Sequence, residues 1–364
     1  MKQTKRWIVT PVQPQSYKEN DQTDITKELS TTTMSKQMIQ EAATMLRAGF
    51  TVAFPTETVY GLGADATNET AVNRIFEAKG RPADNPLIAH VATKEQLMRL
   101  VEPLTPLAQL MIDTFAPGPI TFVLKSNGTC ATNVTAGLQT IGVRLPEHPI
   151  AHELLQACDV PIAAPSANTS GKPSPTAADH VWTDLNGRID GLLDGGTTGI
   201  GLESTVVDCT EDIPIILRPG AVTREQIEAV VGHVMIDPAL LRSDSKPKAP
   251  GMKYTHYAPD VPLWLVEGSV KAIQDSINEA RLVGKKVGLL ACDETVQMVE
   301  ADRVYPLGTN IQEVAAHLYD GLRDFKRSDV DLILCETFSE EGLGGAVMNR
   351  LRKAAQRVIN SATE

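Results

Sequence analysis

Aromatic residues make up only 4% of this 364-residue chain, although 42% of it is hydrophobic. A core with so few rings must be aliphatic, which suits strands buried on both faces. No run of about 18 apolar residues occurs, and the basic start Met1–Arg6 leads only into Trp7-Ile8-Val9. That stretch is too short for the apolar region of a signal peptide, so a cytosolic protein without membrane contact is expected. The five cysteines, Cys130, Cys158, Cys209, Cys292 and Cys335, are scattered and form no C-x-x-C pair. Neither a zinc site nor a disulfide framework is indicated, and the thiols read as small buried hydrophobes. Basic residues are also short: 34 Lys and Arg stand against 45 Asp and Glu, for a formal net charge of -11. Proteins that coat nucleic acid run basic, because phosphate neutralisation supplies most non-specific affinity. Weak or no direct RNA binding is therefore expected. A small anion held in a focused pocket stays open as a ligand.

The length exceeds one typical core and implies two domains. Residues 1–34 are a polar extension with a short strand near Trp7–Val12. From 35 to 241 the pattern predicts a helix over Ser35–Arg47 with Gly49 as its cap, a strand over Thr51–Pro55, and a helix from Asn68, a good N-cap, to Lys79. Strand-like runs follow at Ile120–Lys125, Thr140–Arg144, Val160–Ala164, Ser204–Cys209 and Ile213–Arg218. Numerous strands with helices between only some of them predict a mixed-sheet α+β domain. Residues 242–261, with their prolines and lack of apolar period, read as a linker. A plain tether has no use for Tyr254, His256 and Tyr257, so both tether and contact remain open. Beyond it, strands at Val261–Val266, Lys286–Cys292 and Val330–Cys335 alternate with helices over Ser269–Arg281, Asn310–Lys326 and Gly345–Val358. That rhythm predicts a small parallel α/β domain.

Gly342-Leu343-Gly344-Gly345 lacks the G-x-G-x-x-G spacing and reads as a tight strand-to-helix turn; Ser170-Gly171-Lys172 is followed by Pro173 and is not a P-loop. More informative is Phe54-Pro55-Thr56-Glu57-Thr58-Val59-Tyr60-Gly61-Leu62-Gly63, which ends a buried strand in hydroxyls, a carboxylate and glycines. Such strand ends are where α/β folds place ligands. Lys79-Gly80-Arg81-Pro82, leading to Asn85-Pro86-Leu87-Ile88-Ala89-His90, either satisfies a helix C-terminus or offers two cations to a triphosphate. Arg144 closes an apolar strand, where a cation needs an anionic partner or ligand. Pro165-Ser166-Ala167-Asn168, Glu203-Ser204-Thr205 and Leu217-Arg218-Pro219-Gly220 add further polar strand ends. Together they predict a cleft for a multiply charged anion and a small polar molecule. No metal-ligand spacing or nucleophile elbow accompanies them, so the chemistry implied is positioning and charge neutralisation.

In that order, across residues 35–235, these motifs resemble the threonylcarbamoyl-AMP synthase family, also called YrdC-like; Pro250–Tyr257 and the tail resemble its long two-domain form. The resemblance implies a YrdC-like twisted mixed sheet with a concave cleft, plus a small Rossmann-like parallel α/β domain. It implies that L-threonine, bicarbonate and ATP give threonylcarbamoyl-AMP and pyrophosphate, with the product passed to a tRNA threonylcarbamoyltransferase complex. Thr58, His90, Arg144, the Ala164 backbone and Ser204 would hold L-threonine. Arg81, Asn85, Thr140, Ser166, Ser174 and Arg218 would hold ATP, with Tyr257 closing over it. Lys79, Arg81 and Arg144 would support the chemistry. Mg²⁺ would arrive with ATP, and no organic cofactor is implied. Two alternatives are a carbamoyl-adenylate-forming enzyme, whose relatives carry an acylphosphatase-like segment and zinc-finger cysteines that this chain lacks, and an RNA-binding ribosome maturation factor.

Overall fold

The structure, a computed structural model, describes residues 2–10, 22–240 and 257–360. The linker from 242 to 256, with Tyr254 and His256, lies outside the described residues.

Two sheets organise the described residues. The larger comprises β1 (Lys5–Ile8), β2 (Val52–Phe54), β3 (Gly61–Asp65), β4 (Ile88–His90), β5 (Ile120–Lys125), β6 (Thr140–Arg144), β7 (Ile162–Ala163), β8 (Gly191–Asp194), β9 (Thr205–Asp208), β10 (Ile215–Arg218) and β11 (Met235–Ile236). Their order is β1-β8-β2-β3-β7-β4-β6-β5-β9-β10-β11. Parallel pairs such as β4 with β6 alternate with antiparallel pairs such as β3 with β7, so the sheet is mixed. The second sheet, β12 (Leu263–Glu267), β13 (Val287–Ala291), β14 (Arg303–Pro306), β15 (Leu332–Glu336) and β16 (Arg357–Asn360), is parallel throughout, in the order β14-β13-β15-β12-β16. Its central strands are apolar along their length because helices cover both faces. Val287–Ala291, for example, is buried at every position.

Local rules fix the helix that carries the first cations. Asn68 accepts from the Ala71 N–H at 3.1 Å, Val72, Ile75 and Phe76 bury one stripe, and Gly80 ends the helix in the left-handed region at φ 61°. The first long helix spans Gln22–Arg47, starting well before the expected Ser35. The tail expected as helix to Val358 stops at Ala354, and Arg357–Asn360 instead becomes an edge strand on β12.

The cleft spreads over one face of the first sheet rather than along a single edge. Ile88 and His90 are two apart on β4 and so share a face. The parallel register sets His90 beside Arg144 on β6. The neighbouring β7 runs the other way, so Ala164 lies by Ile88, its N–H donating to the Ile88 carbonyl at 2.9 Å. Strands of two and three residues bring opposite strand ends within reach of one ligand.

The domains meet through apolar surface. Val59 and Leu202 from the first domain and Tyr257 from the linker pack in one cluster with Leu318, Tyr319, Val347 and Leu351 of the second. Gly201, at φ 83°, lies so close to the helix Ile311–Asp324 that a Cβ there would sit 2.3 Å from the Ala315 carbonyl.

Candidate active site

A cleft is lined by Thr56, Val59, Tyr60, Gly61, Arg81, Ile88, His90, Arg144, Ala164, Pro165, Ser166, Asn168, Lys172, Ser174, Glu203, Ser204, Arg218 and Tyr257. Of the residues singled out in the sequence, Arg81, His90, Arg144, Ala164, Ser166, Ser174, Ser204, Arg218 and Tyr257 are thus brought together. Thr58, Lys79 and Asn85 are buried behind this lining. Thr140, at the start of β6, lies outside that lining, in a small separate hollow with Pro86, Thr121 and Thr135.

One end of the cleft is organised around Arg144, which is 4% exposed. Its Nη1 donates to Thr58 Oγ1 at 2.8 Å, and Thr58 Oγ1 in turn lies 2.8 Å from Thr56 Oγ1. Its Nη2 is 2.7 Å from Glu57 Oε1. That contact attracts charge without a hydrogen-bonding angle, so Nε, Nη2 and both Glu57 oxygens keep unfilled hydrogen-bond capacity. A buried cation with donors to spare is suited to a ligand carboxylate. Beside it, burial first and the Arg144 charge second push the His90 imidazole down to about 3. The ring is therefore neutral at pH 7. Its Nδ1 is 3.2 Å from the Ile88 carbonyl, and the ring stands edge-on to Phe54.

Arg218 and Arg81 stand elsewhere in the same lining. Arg218 Nε and Nη2 donate to the Ser204 carbonyl at 3.0 and 2.9 Å, and Nη2 reaches Ser204 Oγ at 3.1 Å. Ser204 Oγ is also 2.8 Å from Thr121 Oγ1. Burial lowers the Arg218 pKa, against the attraction of Tyr257 and Glu203. Arg81 Nη2 donates to the carbonyls of Asn85 and Pro86 at 3.3 and 3.4 Å. The Asn85 amide is buried, yet neither its oxygen nor its nitrogen has a hydrogen-bond partner. An orphaned buried amide next to a cation marks a place for a polar ligand.

Lys79 behaves differently from the arginines. Its ammonium donates to the carbonyls of Ser166 and Asn168, both at 2.5 Å. Burial, with the Arg81 charge behind it, lowers its pKa well below the ordinary lysine range. Lys79 therefore ties down the loop from Ser166 to Asn168, while Ser166 Oγ donates to Asn168 Oδ1 at 2.6 Å. It shapes the cleft from beneath.

Some members of the site were quoted within sequence motifs but given no role there. Glu57 partners Arg144. Asn168 holds its own loop by donating to the carbonyls of Thr169 and Lys172. Glu203 is buried and accepts from Ser174 Oγ and Tyr319 Oη. Although burial opposes it, the charges of Arg350 and Arg218 draw the Glu203 carboxyl down to about 2. A carboxylate flanked by hydroxyls at a strand end was the available signal in both glutamates.

A cation-lined cleft on a twisted mixed sheet, backed by a parallel α/β domain, defines a binder of small anions built on two packed sheets. Two family models divide the chain: one described as "Telomere recombination" (Sua5_yciO_yrdC) matches residues 44–220, and "Threonylcarbamoyl-AMP synthase, C-terminal domain" matches 222–356. The threonylcarbamoyl-AMP synthase of Bacillus subtilis is 50% identical over 97% of this chain and 98% of its own length. That of Pyrococcus abyssi is 50% identical over 87% of this chain and 94% of its own. A crystal structure of P. abyssi Sua5 complexed with L-threonine superposes with a TM-score of 0.88 at 45% identity, covering 99% of this chain and 100% of that one. This chain belongs to the threonylcarbamoyl-AMP synthase family. Among the described residues, no helix is long and apolar enough to cross a membrane.

Proposed function

We propose that the chain is a nucleotidyltransferase that converts L-threonine, bicarbonate and ATP into threonylcarbamoyl-AMP and pyrophosphate. The observation that carries this reading is the gathering of three arginines in one cleft: Arg144, with spare donors, stands beside neutral His90, and Arg218 and Arg81 share the lining. The threonine carboxylate would take the free edge of Arg144, with Thr58, His90, Ala164 and Ser204 around the amino acid. Its amine would add to bicarbonate-derived CO₂, releasing water overall and leaving an N-carboxylate. That oxygen would attack the α-phosphorus, forming the mixed anhydride as the bond to pyrophosphate breaks. Both reactants are anions, so the arginines lower their repulsion where charge develops.

For the nucleotide, Arg81, Asn85, Ser166, Ser174 and Arg218 are the groups at hand, with Tyr257 as the wall above and Thr140 in the adjoining hollow. Among the described residues no three His, Cys, Asp or Glu side chains converge to cage a metal. Magnesium would arrive with ATP and would supply charge neutralisation for the leaving pyrophosphate. Transfer of the product to a tRNA-modifying partner is part of the same reading. Mass spectrometry of the product from ATP, L-threonine and labelled bicarbonate tests it. An adenylate of threonine that carries the label is expected, and pyrophosphate release without such a species would overturn it.

A further inference from the structure

Arg350 lies on the helix Leu343–Ala354 of the second domain, yet its partners belong to the cleft. Its side chain is fully buried. Nε donates to Glu203 Oε2 at 3.0 Å, Nη1 donates to the Pro219 carbonyl at 2.5 Å, and the guanidinium sits 5.9 Å from the Tyr257 ring centre. One side chain thus joins three segments that are distant in sequence. Tyr319, from the helix Ile311–Asp324, works on the same groups. Its hydroxyl lies 3.0 and 3.1 Å from the two Glu203 oxygens, and its ring stacks on Tyr257 at 5.4 Å.

These contacts bear on the groups assigned to the nucleotide. Glu203 also accepts from Ser174 and precedes Ser204, and Pro219 follows Arg218, whose fork grips the Ser204 carbonyl. Arg144 takes its partners Glu57 and Thr58 from the first domain. Domain docking does not depend on Arg350 alone. Arg323 and Asp184 form a second, partly buried pair at 2.9 Å, and Gly201 presses on the helix at Ala315. Buried ion pairs are in any case weak contributors to net stability.

Resting on the functional reading above, we propose that Arg350 is a positioning residue for the nucleotide: the second domain, through Arg350 and Tyr319, fixes Glu203, Pro219 and Tyr257 so that Ser174 and Arg218 are presented to ATP. The second domain is in this sense part of the active site's wall. Arg144 with Glu57 and Thr58 is held within the first domain, whereas Ser204, next to Glu203, links the nucleotide groups to the threonine site.

The test uses full-length Arg350→Lys and Tyr319→Phe proteins, titrated separately with α,β-methylene-ATP plus Mg²⁺ and with L-threonine. A lysine cannot span both Glu203 and the Pro219 carbonyl, which the fork joins. Arg350→Lys should weaken the nucleotide analogue about tenfold or more, as expected for lost charge-assisted bonds. Tyr319→Phe removes one hydroxyl and keeps the stack, so a loss of about threefold is expected. Threonine affinity should fall less than nucleotide affinity in both, and the KM for ATP should rise more than that for threonine. Nucleotide binding unchanged in both variants, or equal losses for both ligands with a lowered melting temperature, overturns the proposal. Should Arg350→Lys not fold, Tyr319→Phe decides alone. Failure of the functional reading is separately visible, as wild-type protein that binds both ligands but yields no threonine adenylate.

Discussion

Arg144 was expected from the sequence to serve a ligand, and the structure adds a buried carboxylate beside it. The two roles separate in a double-mutant cycle with Glu57. Arg144→Met keeps the length of the side chain and leaves little cavity. It also strands the Glu57 carboxylate, whose side chain is only 12% exposed. Removing one partner of a buried pair costs about 3–5 kcal/mol, because the remaining charge is uncompensated. Unfolding entropy of roughly 2.1 cal/mol/K per residue, applied to the full chain, converts this into a fall of about 4–6 °C in melting temperature if the protein unfolds as one unit. Glu57→Gln in the same background removes the stranded charge and should recover most of that loss. Threonine binding should not recover. Without the guanidinium the ligand carboxylate loses about 3 kcal/mol, or roughly a hundredfold in affinity. Scanning calorimetry and threonine titration on the four proteins read the two effects apart. A double variant that regains threonine binding along with stability would refute the ligand role. It would leave Arg144 as the structural partner of Glu57.

Three further outcomes follow from single features. His90 is held at about 3 against its ordinary 6.5, so between those values the unfolded chain binds a proton that the native protein refuses; its contribution to stability is complete above pH 6.5 and declines towards pH 3 by up to about 1.4 kcal/mol per pH unit. Urea unfolding of wild type and His90→Asn at pH 7 and 5 should show a shallower loss in the variant, and parallel losses would contradict the buried neutral ring. Gly201→Ala forces a Cβ against the backbone of Ala315 and Ala316 and should speed limited proteolysis between the domains; unchanged cleavage would mean that the contact is dispensable. A site built around the hydroxyls of Thr56, Thr58 and Ser204 should prefer threonine to valine by a few kcal/mol, since valine leaves polar groups unpaired; equal pyrophosphate release with the two amino acids would sink that assignment.

Local chemistry made much of the fold legible. Asn68 and Gly80 bound their helix as cap rules require, and the apolar runs at Ile120–Lys125 and Thr140–Arg144 became β5 and β6 with those limits. Strands hidden inside ligand-like motifs were missed. Gly61–Asp65 forms β3 although the motif ending at Gly63 gave no strand signal, and position 63 is glycine because a Cβ there would strike Ile162 and Phe54. Ile88–His90 offers three residues, too few for a period-two signal. Strand direction was equally out of reach. The antiparallel β7 between β3 and β4, which turns a strand-edge site into one spread over the sheet face, depends on partners distant in sequence.

The second domain's share in the cleft was the least visible part, and the reason lies in what a helical pattern can say. Ala346, Val347, Arg350, Leu351 and Ala354 follow the three-and-four spacing of a buried stripe, with an arginine in a position that the stripe assigns to the core. The same holds for Tyr319 among Val314, Ala315, Leu318 and Leu322. A buried cation demands an anion, so the pattern could announce that Arg350 has a partner. It could not choose among 45 acidic residues. Glu203 is selected by the fold, which packs the helix Leu343–Ala354 against the loop before β9. Polar residues on a buried helical face are therefore the sequence's pointer to an interface, and the partner's identity is what the three-dimensional structure adds.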